Sequence, residues 1–131
     1  MAGYADGELL VAEWLQAQTG AQVHADPDIS PYLPFSEPLG HVQRGVGEGD
    51  RQLTLDAMIL DIDWYAELAD QARDYAHRTW NLMRFTLPLH AFSNGVFCTG
   101  VQTISAPSWA PATGVFRRSA AYRVVLHSLV A

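Results

Sequence analysis

Several residues of this chain are of types able to do chemistry. Asp61-Ile62-Asp63 has the D-x-D spacing of some nucleotide-sugar enzymes. It falls where a strand pattern gives way to a helical one, and there an aspartate is expected to cap the helix. His24, Asp26 and Asp28 alternate at an extended spacing of two, which can set ligands on one face. Prolines interrupt that segment and no second histidine is near, so no metal site is expected. Gly45-Val46-Gly47-Glu48-Gly49 is glycine-rich but lacks a phosphate-facing lysine and a following helix, and reads as a hairpin turn. Ser93, Ser105, Ser108 and Ser119 lack the nucleophile-elbow pattern. Cys98 alternates within a strand, as a small buried hydrophobe does. The five histidines are scattered singly. No catalytic, cofactor-binding or metal-binding residue is predicted.

Arginines and aromatics are the more informative groups. A Pro/Trp loop at about 105–114 (Pro107, Trp109, Pro111) leads into a long alternating strand. Phe116, Arg118, Ala120, Tyr122, Val124 and Leu126 take one side of it; Arg117, Ser119, Ala121, Arg123, Val125 and His127 take the other. Such a strand needs a sheet, and its arginines need an acidic partner inside or outside the chain. A second proline-stiffened segment, the arm at about 26–38, carries Tyr32, Leu33 and Phe35. Proline lowers the entropy lost on docking, and aromatics are favoured at interface hot spots. The alternative is that these rings fold back on the core.

Charge is unevenly distributed along the 131 residues. All fourteen acids lie between Asp6 and Asp74 with three arginines, a net −11, whereas from Tyr75 onward there are five arginines and no acid. Lysine is absent. The two halves either neutralise each other within one sheet or meet head to tail between copies, a contact that closes into a ring if the rotation allows. At net −6 and without a basic cluster, free duplex DNA is a poor partner. The candidate contact residues are Arg117, Arg118, Arg123, Trp109, Tyr32 and Phe35, with Glu48, Asp50, Asp56 or the Asp61/Asp63 pair as acidic counterparts.

Hydrophobic residues at 49% and charged ones at 17% predict a folded domain with a real core, one domain over 1–131. No apolar run is long enough to span a bilayer, and MAGYADGE lacks the pattern of a secretion signal. A single cysteine suits a reducing compartment.

A first helix is expected over about 6–18, with Asp6 as cap, Gly20 just past its end, and Leu9, Leu10, Trp14 and Leu15 recurring near helical spacing. A short extended piece follows at 21–24. Strands at 39–46 and 51–62 form a hairpin around GEGD. A second helix runs from about 64 to 84, capped by Asp61 or Asp63, with Leu68, Ala72, Tyr75, Thr79, Leu82 and Met83 on one face. A strand at 96–104 and the final strand complete the order α-β-β-β-α-β-β. The class is α+β: about four mostly antiparallel or mixed strands packed by two helices.

VAEWLQAQTG, the proline-rich connection, GEGDRQLTLDAMILDIDWYAELADQARDYA and the tail PSWAP…RRSAAYRVVLHS together resemble the tail terminator (tail completion) proteins of long-tailed bacteriophages, particularly those infecting actinobacteria. The resemblance implies a small α/β subunit forming a homo-oligomeric, hexameric ring on the finished tail tube. That ring stops further tube growth and offers the surface for head attachment. Its implied partners are the major tail tube protein and the head–tail connector protein. Genomic DNA passes through the lumen without specific binding, no membrane is involved, and the location is the neck end of the virion tail. No catalytic residue or cofactor belongs to that role. Another neck protein is the nearest alternative, and a small hydrolase or ligand-binding domain using Asp61, Asp63 and His24 the alternative from another class.

Overall fold

The computed structural model describes residues 7–29, 37–45, 50–52, 55–92 and 95–128, with backbone alone for 50–52, 55–56 and 128. The elements are α1 (Gly7–Thr19), β1 (Gln22–His24), β2 (Leu39–Arg44), β3 (Asp50–Gln52), β4 (Leu55–Ala66), α2 (Ala69–Phe85), β5 (Val96–Ala110) and β6 (Phe116–Ser128). The class is α+β with two helices, as expected. The sheet is larger than the expected four strands: β1-β2-β4-β6-β5, with β3 added alongside β4. The order gains a strand because 51–62 is not one strand. Asp50–Gln52 pairs antiparallel with the start of β4, Asp50 opposite Asp56 and Gln52 opposite Leu55. The expected GEGD turn lies outside the described residues except for Asp50.

Among the described residues, β1 and β2 alone run parallel; the other pairings are antiparallel. β6 is central because it alternates cleanly and is long enough to pair with all of β4 on one side and most of β5 on the other. Its Ala120, Tyr122, Val124 and Leu126 enter the core with Met58, Leu60, Ile62 and Trp64 of β4. Both helices cover this face: Gly7 of α1 lies against Met58, and Thr79 of α2 bonds Trp64. The opposite, helix-free face carries Asp61, Asp63, Arg117, Ser119 and Arg123, as period-two alternation requires.

Several expected boundaries are corrected. Helix α2 starts at Ala69, its N-cap is Leu68, and no side chain caps it. Asp61 and Asp63 are strand residues instead, because β6 pairs with β4 as far as Ala66 opposite Phe116 and prolongs the strand. The helix ends near the expected place, with Asp70 and Arg84 in the terminal turns that suit its dipole. The Pro/Trp loop is also shorter than expected, since β5 continues to Ala110. Pro107 fits because β5 is an edge strand, and the register slips between Ser105 and Ser108 where a proline cannot donate. Leu9 and Leu68, which recur at helical spacing with other apolar residues, are 47% and 60% exposed. Gly20 ends α1 with φ +76°, and its N–H donates to the Gln16 carbonyl at 2.9 Å, as expected of a residue past a helix end.

Trp64 sets how α2 sits on the sheet. It is 1% exposed, its Nε1 donates to Thr79 Oγ1 at 2.8 Å, and its ring stacks on Tyr75 with centroids 4.9 Å apart. Gly40 on neighbouring β2 leaves room for it, since a Cβ there would stand about 3.0 Å from the indole. Thr79→Val preserves the shape but leaves a buried indole N–H unpaired, which costs on the order of 1–3 kcal/mol. Calorimetry should show a melting point several degrees lower; an unchanged value would remove this bond from the account of helix docking.

Candidate interaction surface

The arginines of β6 have different partners. Arg117, on the helix-free face, stands opposite Tyr65 in register and reaches diagonally to Asp63. Its Nη2 donates to Asp63 Oδ2 at 2.8 Å, its Nη1 donates to the Pro111 carbonyl at 3.3 Å, and its guanidinium lies 5.7 Å from the Tyr65 ring centre. Arg117 thereby ties β4, β6 and the β5–β6 connection together. Burial pulls its basicity down, but the charge and hydrogen bond of Asp63, with Tyr65 and Asp61, raise it overall. One cross-half neutralisation is therefore internal to the sheet.

Asp61 shares this face. Burial, and then the neighbouring Asp63 charge, raise its carboxyl above the ordinary value, against the opposing pull of Arg117. Tyr65 is raised by the same two causes against the same opposition. A polar cleft of about 340 Å³ is lined by Gln43, Asp61, Asp63, Arg117 and Ser119 of the central strands and by Ser105 and Ser108 of β5. His24 does not line it; its Nε2 meets Gln22 Oε1 at 3.3 Å. Among the described residues, no three of His, Cys, Asp and Glu are grouped to hold a metal ion. Cys98 is buried, its Sγ donates to the Gly100 carbonyl at 3.4 Å, and burial pushes its thiol pKa up.

Arg118, one residue on, faces the other way. Its guanidinium lies 4.6 Å from the Trp109 ring centre, and its Nη2 donates to His77 Nε2 at 3.3 Å. Arg73 of α2 lies 5.5 Å from the same indole, and Phe116 meets it edge-on at 6.1 Å. Trp109 and Phe116 remain 44% and 47% exposed. Strand pairing builds this group, because Trp109 is opposite Arg118 in the β5–β6 register. The rings continue into an apolar hollow of about 440 Å³ that includes Pro111, Ala112 and Val115. Arg118 has no carboxylate partner among the described residues, while Arg73 has only a weak exposed contact with Asp70 at 3.7 Å. Desolvated arginine and tryptophan are the residue types that concentrate binding energy at protein interfaces.

The other candidate residues are dispersed. Arg123 projects from the helix-free face, opposite Ile59 and Gln102. Asp50 begins β3, with its backbone alone described, as is that of Asp56. Tyr32, Phe35 and Glu48 lie outside the described residues. Arg73 and His77 were not legible as members of the surface. Their spacing of four on α2 signals a shared helix side but not its nearness to Trp109. No protein-family model matches the chain, and no curated protein matches it in sequence.

Two substitutions separate the roles on the helix-free face. Arg117→Met leaves Asp63 buried without its cation and should destabilise by about 2 kcal/mol, whereas adding Asp63→Leu should recover much of that loss. Equal losses in the single and double variants, by denaturant unfolding, would show that the pair is not coupled. Asp61→Asn tests the raised carboxyl. A folded-state pKa above the unfolded value favours the proton in the fold, so stability falls as pH rises through the carboxylate range and is fullest below it. The variant should melt slightly above the parent at pH 7, by on the order of 1–2 °C, and the gap should close below about pH 3. A gap that widens on acidification would reverse the assignment.

Proposed function

We propose that this chain is a structural assembly subunit: a tail terminator that forms a ring on a completed phage tail tube, stops its growth and presents a surface for the head-side connector. The observation that carries this reading is the surface of exposed Trp109 and Phe116 with half-buried Arg118, flanked by Arg73. It combines stacked guanidinium groups, open aromatic rings and a cation without a carboxylate partner among the described residues, which is the composition of a protein-docking patch. The sequence resemblance supplies the identity of the partner, and the surface supports contact with an acid-bearing protein. Arg117 is held by Asp63 within the subunit, so Arg118 is the arginine of this pair available for an outside contact. The patch stands at the strand ends where β4 finishes and β6 begins, which suits an axial contact with a tube or connector.

Electron microscopy of the protein mixed with isolated tail tubes tests the reading. The parent should appear as rings or as caps at one tube end, and Arg118→Glu should abolish capping while leaving the melting point within about 1 °C. Binding to a head-side connector but not to tubes would move the protein to another neck position. A monomer that ignores both tubes and connectors would defeat the proposal.

A further inference from the structure

Beyond the Trp109 patch, a row of alternating cations and rings runs along one side of α2. Arg73, His77, Trp80 and Arg84 recur at helical spacing and share one stripe of the helix. Packing turns that stripe toward β5: the Trp80 Nε1 donates to Thr103 Oγ1 at 3.1 Å, and Arg73 lies 5.5 Å from the Trp109 ring centre. The row is continuous. Arg118, stacked on Trp109, meets His77 Nε2 through its Nη2 at 3.3 Å, and the His77 ring meets Trp80 edge-on with centroids 6.0 Å apart. The Arg84 guanidinium then lies 4.1 Å from the Trp80 ring centre and 4.8 Å from that of Phe85, which is 74% exposed.

The row is short of anions. Arg84 donates from Nη2 to Asn81 Oδ1 at 2.8 Å, and neither it nor Arg118 has a carboxylate partner among the described residues. The Nε atoms of both are buried without a hydrogen-bond partner there. Arg73 has the exposed 3.7 Å contact with Asp70. A guanidinium lying over a ring uses its flat face, which leaves its Nη edge to grip a carboxylate. From Arg73 to Arg84 the helix rises about 16 Å, the length of about five residues of extended chain. Half-buried Trp80 provides an apolar step between the two cationic ends. A strand of nucleic acid suits the row less well than protein does. A base needs an open ring face, and a guanidinium already lies over each of the two indoles. A phosphate backbone needs a broadly basic surface, whereas Asp70 and Asp74 border this one.

We infer that the side of α2 facing β5 binds an extended segment of a partner protein, with carboxylates toward both ends and apolar residues between them. Arg73 and Arg118 take one acidic end, Arg84 takes the other, and the apolar middle lies on Trp80. Charge complementarity sets the polarity of the occupant, and the spacing of the cations sets its length. The inference rests on the docking reading above: it makes the Trp109 patch one end of a longer groove and states the chemistry of what enters it.

Fluorescence anisotropy on the full chain tests it, with a labelled heptapeptide bearing two glutamates at each end and leucines between. The parent should bind this peptide and release it as salt is raised. Arg84→Gln and Arg118→Gln, one at each end of the row, should each weaken binding about tenfold. Arg84→Lys, which keeps the charge without the planar fork, should fall between Arg84→Gln and the parent. A second measurement spares the arginines: the same peptide with a quencher at its centre should dim the indole emission of the parent, and Trp80→Phe should remove most of that change. Binding weakened by Arg118→Gln but untouched by either Arg84 variant would confine the contact to the Trp109 end, overturning the groove and leaving the capping proposal intact. No binding of the peptide, or equal binding of a single-stranded oligothymidylate, would also overturn it. Peptide binding as expected by a protein that caps no tube would keep the groove and defeat the tail reading alone.

Discussion

The buried indole of Trp64 is the constraint on which the rest of the structure depends. It lies near the end of β4, where its Nε1 is satisfied by Thr79 and its ring is stacked by Tyr75, so α2 has one position on the sheet. A tryptophan buried this far needs a partner for its N–H and space for its ring. Thr79 supplies the first and Gly40 the second. Moving α2 would unpair the donor, and filling Gly40 would push the ring into the helix. From this one residue follow the direction of α2, the placement of Arg73 and His77 beside Trp109, and the outward display of Phe85 at the far end.

The preceding residue performs the opposite task on the opposite face. Asp63 points away from the helices and holds Arg117, which in turn holds the Pro111 carbonyl. Strand alternation makes the division unavoidable: consecutive side chains leave by different faces. The same rule separates Arg117 from Arg118. One is drawn into an internal ion pair, while the other is stacked on an exposed indole with no carboxylate partner among the described residues. Two adjacent arginines, alike in sequence, thus end in different surroundings, one in an ion pair and one against an indole.

The edges of the sheet carry features that oppose indiscriminate strand pairing. β5 is a long edge strand, the kind of template on which foreign strands add. Register slips after Cys98, Thr103 and Ser105, together with Pro107, break its regular row of donors and acceptors. Backbone pairing along that edge is thereby discouraged. The exposed side chains lie instead at the strand ends, arginine and tryptophan beside an apolar hollow at one and Phe85 and Leu89 at the other.

Local pattern was enough for the α+β class, both helices, the central alternation of β6, the turn-ending role of Gly20 and the burial of Cys98, since each depends on residues within a few positions of one another. It was not enough where a distant partner decides the outcome. Asp61 and Asp63 have the local signature of helix caps, yet β6, more than fifty residues later in the chain, pairs along β4 and keeps them in a strand. Leu9 and Leu68 recur at helical spacing, but the described residues leave them 47% and 60% exposed. The arginine–tryptophan surface was half legible: its members on β5 and β6 stood out, whereas Arg73 and His77 join only because Trp64 fixes α2 above them. Sequence alone determined which segments would form and which way their side chains alternate, because backbone geometry and short-range spacing set both. Tertiary structure alone decided which charges cancel and which remain available, because an ion pair is a matter of distance, and distance between remote residues exists only once the sheet is assembled.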